Sequence, residues 1–145
     1  KSIKNIRLSK DSCVAINDSL IVVIKSISFN PKIHKLMYSN PIPNENTLPV
    51  LLKIDDHHFW GTDGELPKRI ISNVKIIKNG VSVVIPKDAF NDLYEPQLRS
   101  LHVYIDKSDT IYIEMDNSDG AGAYSIIWTI KNNKFQKRYI DNSNV

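Results

Sequence analysis

The sequence predicts a mainly β domain, an antiparallel meander in a sandwich or partly open barrel, with one short helical turn near residues 86–94. Three observations carry this. Apolar and polar residues alternate with period two over most of the stretch from Arg69 onward, the signature of half-buried strands. Asn, Asp and Gly punctuate those runs at turn positions, and β-branched residues dominate the apolar segments nearer the start. A length of 145 residues suits one β-rich domain, 1–145, large enough to bury an apolar core.

From the N-terminus, Val14 and Ile16 and then residues 20–29 read as two strands around Asn17-Asp18-Ser19, although periodicity alone leaves a helix open here. Residues 30–49 carry Pro31, Pro41, Pro43 and Pro49 among several Asn and read as a long surface loop, after which 50–54 resumes as a strand. Val74 and Ile76 lead through Asn79-Gly80 into Val81, Val83 and Ile85; both turn residues tolerate positive φ, so a type I′ hairpin is expected. Pro86 suits a first helical turn and Asp88 the positive end of its dipole. Leu101, Val103 and Ile105 pair with Ile111, Ile113 and Met115 across a polar turn at 106–109. Tyr124, Ile126, Trp128 and Ile130 mark one face of a longer strand, and Asn132-Asn133 turns it into 135–140. Four strands joined this way form a meander that needs a second layer over its apolar face.

The longest apolar run, 20–24, is far short of the roughly 18 residues of a membrane span, so no span is expected. A lone Cys13 cannot close an internal disulfide. The chain opens at Lys1 rather than Met, as a trimmed or a mature exported chain would, and a periplasmic or secreted setting is favoured over a cytoplasmic one. Charge is uneven: residues 1–54 hold eight basic and three acidic side chains, 55–119 hold seven and twelve, and 120–145 hold four and one. Such a layout either makes opposed patches or is neutralised by pairing in the fold.

The densest cluster of reactive groups is Asp55-Asp56-His57-His58, followed by Phe59-Trp60-Gly61-Thr62-Asp63-Gly64-Glu65. Asp55, His57 and His58 are zinc-type ligands, but adjacent histidines on one strand diverge, so a turn anchored by Trp60 competes with a metal site. Asp116-Asn117-Ser118-Asp119-Gly120 lacks the spaced glutamate of a calcium loop and reads as a turn. Gly120 and Gly122 suit a close backbone approach. The chain has no nucleophile elbow, P-loop or dinucleotide-binding pattern, and no cofactor is expected. At the C-terminal end, alternation puts Phe135, Lys137 and Tyr139 on one face and Gln136 and Arg138 on the other; this splits the charge, fits a lysine-protected edge strand and argues against nucleic acid.

Phe59-Trp60-Gly61-Thr62-Asp63-Gly64 and Asp119-Gly120-Ala121-Gly122-Ala123-Tyr124, followed by Trp128, resemble segments of small bacterial β-rich proteins of uncharacterised function. That resemblance implies a compact bacterial domain and brings no catalytic residue with it. Three functions follow as expectations. The leading one is a non-enzymatic binding module, of inhibitor or immunity type, that masks a protein partner through Trp60, Asp63, Glu65, Asp116, Asp119 and Tyr124. The second is an exported binder of a small ligand or glycan that stacks on Trp60 and Tyr124. The third is a hydrolase using a metal at Asp55, His57 or His58.

Overall fold

The computed structural model describes residues 1–40 and 48–143, and is mainly β, with antiparallel sheets that do not close into a barrel and helical structure confined to lone 3-10 turns. In chain order the strands are β1 (Ile6–Leu8), β2 (Ser12–Ile16), β3 (Leu20–Ser28), β4 (Leu36–Tyr38), β5 (Leu51–Ile54), β6 (Arg69–Lys78), β7 (Val81–Val83), β8 (His102–Ile105), β9 (Ile111–Asn117), β10 (Tyr124–Lys131) and β11 (Lys134–Asp141). One sheet runs β1-β2-β3-β6-β7, a second runs β11-β10-β9-β8, and β4 pairs with β5 as a separate ribbon. The second sheet is the meander expected from alternation.

Local chemistry sets the turns. The Asn17 side chain accepts the backbone N–H groups of Ser19 and Leu20 at 2.9 and 2.8 Å, closing the β2–β3 hairpin. Asn79 and Gly80 have φ of 50° and 78°, and Asn132 and Asn133 of 52° and 59°, the left-handed pairs that match the twist of two-residue hairpins. Between β8 and β9 the Asp106 carboxylate accepts the N–H groups of Ser108 and Thr110.

The two larger sheets face each other as a sandwich. Cys13, Ala15, Val22, Ile24 and Ile76 from one inner face meet Val103, Ile113, Ile126, Trp128 and Ile130 from the other in a single cluster without solvent exposure. Burial of each large side chain contributes on the order of 1.5–3 kcal/mol, so this layer dominates the stability. Phe29, Leu51, Ile54, Phe59 and Tyr94 form a smaller core under the β4–β5 ribbon.

The two sides of the sandwich are held differently. On one, Ile3 N–H donates to Val103 O and Ile105 N–H to Lys1 O, after which the chain crosses to pair β1 with β2. On the other, β7 and β11 are edges, and residues 86–92 cross between them with a 3-10 turn at Lys87–Ala89. This is the one short helical element expected near 86–94.

Two regions differ from the alternation reading. Within 30–49, expected as loop, the described residues include a 3-10 turn at Pro31–Ile33 and β4; Pro41 and Pro43 lie outside the described residues. In β11, Phe135 does not share a face with Lys137 and Tyr139. Pairing shifts between Thr129 and Ile130, so Phe135 stands opposite inward Ile130 while Lys137 and Tyr139 stand opposite outward Thr129 and Ile127. The bulge adds Gln136 and reverses the parity. Among the described residues, no helix is long and apolar enough to cross a membrane.

Candidate functional site

Strand β5 ends in a tight turn. Asp55 and Asp56 adopt φ of 53° and 65°, and Ile54 and His57 exchange backbone hydrogen bonds at 3.1 and 3.0 Å. The Asp55 carboxylate is consumed by the fold: it accepts His34 Nδ1–H at 2.6 Å and Lys35 N–H at 2.8 Å. Burial works against its ionisation, yet the His34 hydrogen bond and the Lys35 N–H together hold the carboxyl below the usual aspartate range. Among the described residues, no three His, Cys, Asp or Glu side chains come together as a metal would need. Asp55 and Asp56 form the turn that follows β5, and His57 and His58 come directly after it.

Beyond the turn, Phe59 enters the small core and Trp60 lies beside Leu93 in a short parallel bridge. Trp60 N–H donates to Asp92 O at 2.9 Å, and Tyr94 N–H donates to Trp60 O at 2.8 Å. The partly exposed indole faces a cleft of about 530 Å³. One wall is His57, His58 and Trp60, the second is Asp88, Ala89, Asn91 and Asp92, and the third is Phe135 and Arg138 of β11. Both histidines line the same space, because the Asp55-Asp56 turn ends the strand ahead of them. His58 meets the indole edge-on, with ring centroids 4.8 Å apart.

An ion pair fixes the back of the cleft. Arg138 Nη1 and Nη2 donate to the two Asp92 carboxylate oxygens at 2.6 and 2.7 Å, a bidentate geometry. The Asp92 hydrogen bond raises the Arg138 pKa further, outweighing burial, so the guanidinium stays charged. Ala89 O accepts both Trp128 Nε1–H at 2.8 Å and Arg138 Nη1–H at 3.3 Å, which ties the second wall to the sandwich core. The result is a partly exposed Trp60 beside a fixed cation and carboxylate, with the exposed Asp88 and Asn91 also lining the space.

The segments 59–64 and 118–124 meet next to this cleft. Ser118 Oγ–H donates to Gly61 O, and a Cβ on Gly122 would stand 2.6 Å from that same oxygen. Gly61 itself has φ of 131°, and a side chain there would meet Tyr94 O at 2.5 Å. Glycine is required at both positions, at Gly122 by space alone and at Gly61 by space and backbone angle.

The structure disperses the expected contact set. Trp60 lines the cleft; Asp63, Glu65 and Asp119 are exposed on the adjoining loops; Asp116 points from the outer face of β9 and accepts Ser125 Oγ–H at 2.6 Å. Tyr124 is corrected from a stacking surface to a core residue: it is 3% exposed, and its hydroxyl donates to Tyr94 O at 2.8 Å. Burial also pushes its phenol pKa far up. Asn117, beside it, lines a small hollow of about 240 Å³ and holds the one buried side-chain nitrogen or oxygen without a partner among the described residues. Sequence reasoning missed Asp88, Asn91, Asp92 and Arg138. No protein-family model matches the chain, and no curated protein or solved structure matches it either.

Proposed function

We propose that the protein is a non-enzymatic binding module that takes a polyhydroxylated ligand of glycan type in the cleft beside Trp60. The observation that supports this reading is the partly exposed Trp60 ring next to the bidentate Arg138–Asp92 pair in a concavity of about 530 Å³. A sugar presents an apolar C–H face and an edge of hydroxyls. The indole suits the first, and an immobilised guanidinium and carboxylate suit the second, within the usual range of ligand cavities of roughly 300–1,000 Å³. Trp128 is fully buried, so ligand-dependent tryptophan emission reports Trp60. Titration with a panel of soluble glycans is expected to shift or quench emission, and Arg138→Ala, which keeps both tryptophans, is expected to weaken the response. A flat response across the panel overturns the reading.

A second reading, masking of a protein partner, rests on a different observation. Met37, Tyr38, Val50, Leu52 and Leu66, on and beside the β4–β5 ribbon, are 43–46% exposed, and acidic Asp63 and Glu65 lie near them in the chain. Exposed apolar side chains with a charged rim suit a contact surface. A partner captured by the wild type and lost with Leu52→Asp supports it; no partner at low or moderate salt counts against it.

A further inference from the structure

The outer face of the β8–β11 sheet is independent of the cleft and has a polarity along the strands. At one end stand Lys131 and Lys134, directly opposite each other on β10 and β11. At the other end stand Asp116 and Asp141, on either side of Ser125. None of these four makes an ion pair with a described residue. Between the ends the face is aromatic. Tyr104 and Tyr112 stack with centroids 4.7 Å apart and planes 7° from parallel, and Tyr139 is 47% exposed with Lys137 Nζ 5.1 Å from its ring centroid.

We propose that this face is the contact between two copies of the chain, related by a two-fold axis that lies in the interface and runs across the strands. The charge layout selects both the occupant and the axis. Rotation about that line reverses the strand direction, so Lys134 of each copy lies over Asp141 of the other. A two-fold along the strands through the middle of the sheet would instead lay β11 over β8, with Lys134 over the Asp106 end of that strand and Asp141 facing no lysine. The middle rows exchange under the same rotation: Lys137 falls on the second copy's Tyr139, repeating across the interface the cation and ring pairing already present within one chain. Tyr112, whose hydroxyl donates to Asp106 within its own chain, falls beside the second copy's Glu114. A surface that is its own complement is what an isologous contact requires.

The size sets the strength. With a rise of about 3.4 Å per residue and strands about 4.8 Å apart, the four side-chain rows on four strands cover roughly 20 by 14 Å. Counted on both copies that is roughly 560 Å², below the range of standard specific interfaces, so association is weak and transient, and screening by salt weakens it further.

Sedimentation velocity on the full chain over a concentration series tests this. The expected result is a monomer–dimer equilibrium that shifts to monomer as NaCl is raised. Lys134→Asp and Asp141→Lys, both exposed and so neutral to folding by circular dichroism, are each expected to weaken the dimer by about tenfold. The double variant K134D/D141K restores it, and mixing the two single variants yields a heterodimer. Monomer at every concentration overturns the proposal. So does a dimer indifferent to both swaps, or a monomer whose tyrosine face binds a soluble glycan instead.

Discussion

Removing the Asp92 carboxylate tests both the architecture of the cleft and its stability. Asp92→Ala leaves the Arg138 guanidinium with only Ala89 O at 3.3 Å, inside a wall where the two side chains are 14% and 26% exposed. Exposed ion pairs contribute about 0.2–1 kcal/mol, whereas breaking a fully buried one costs about 3–5 kcal/mol. A bidentate pair at this depth lies between, near 2 kcal/mol. At about 2.1 cal/mol/K per residue, a chain of 145 residues has an unfolding entropy near 0.3 kcal/mol/K, so the midpoint should fall by about 6–7 °C. Arg138→Ala should cost a similar amount, because it strands the carboxylate, and the double variant should cost less than the two together. Circular dichroism melts and urea titrations of the four proteins give the coupling energy. A midpoint for Asp92→Ala within a degree of wild type, or strict additivity in the cycle, would refute the assignment of this pair as the support of the cleft.

Three further outcomes are expected. Gly122→Ala, whose new Cβ would press on Gly61 O, should cost about 1–3 kcal/mol and shift Trp60 emission; an unchanged melt would show that the loops separate freely. Cys13 is fully buried and its thiol is pushed up to about 11 by burial, so maleimide labelling at neutral pH should track global unfolding, and fast labelling of native protein would contradict the inner position of β2. Asp55 is held below its unfolded value of about 4, so its contribution to stability is complete above that pH and is lost as pH falls through the lower folded value. The stability difference between wild type and Asp55→Asn should therefore be flat near neutrality and shrink below about pH 4, and a difference independent of pH down to 2 would exclude the His34–Asp55 link.

Much of the fold was legible because its signals are local. Asn79-Gly80 and Asn132-Asn133 encode their turns in two residues, and Val103, Ile113 and Ile126 declare their faces by parity. Parity fails where the register slips: nothing in the run from Lys134 to Asp141 announces an extra residue at Gln136, so strict alternation groups Phe135 with Lys137 and Tyr139, whereas the bulge turns it to the opposite face. The cleft was illegible for a different reason. Trp60, Asp92 and Arg138 are distant in sequence and meet only because residues 86–92 cross the open side of the sandwich. Tyr124 is instructive in the other direction. It shares its parity with Ile126, Trp128 and Ile130, which was enough to bury it, whereas its aromatic character suggested a contact surface.

The unequal sides of the sandwich have a mechanical consequence. Where residues 1–3 knit to β8 and the same chain continues into β1, the two layers share a spine of backbone hydrogen bonds. Where β7 and β11 lie, residues 86–92 form a clasp secured by Ala89 O and the Asp92 carboxylate, and the backbone bonds resume only beyond it, where residues 93–95 meet β6 and Ser118. Native-state amide exchange should therefore open the book from the clasp, with the backbone of residues 86–92 and β11 trading hydrogen for deuterium ahead of β8. Because the cleft is cut into that clasp, any molecule filling it would also latch the covers shut.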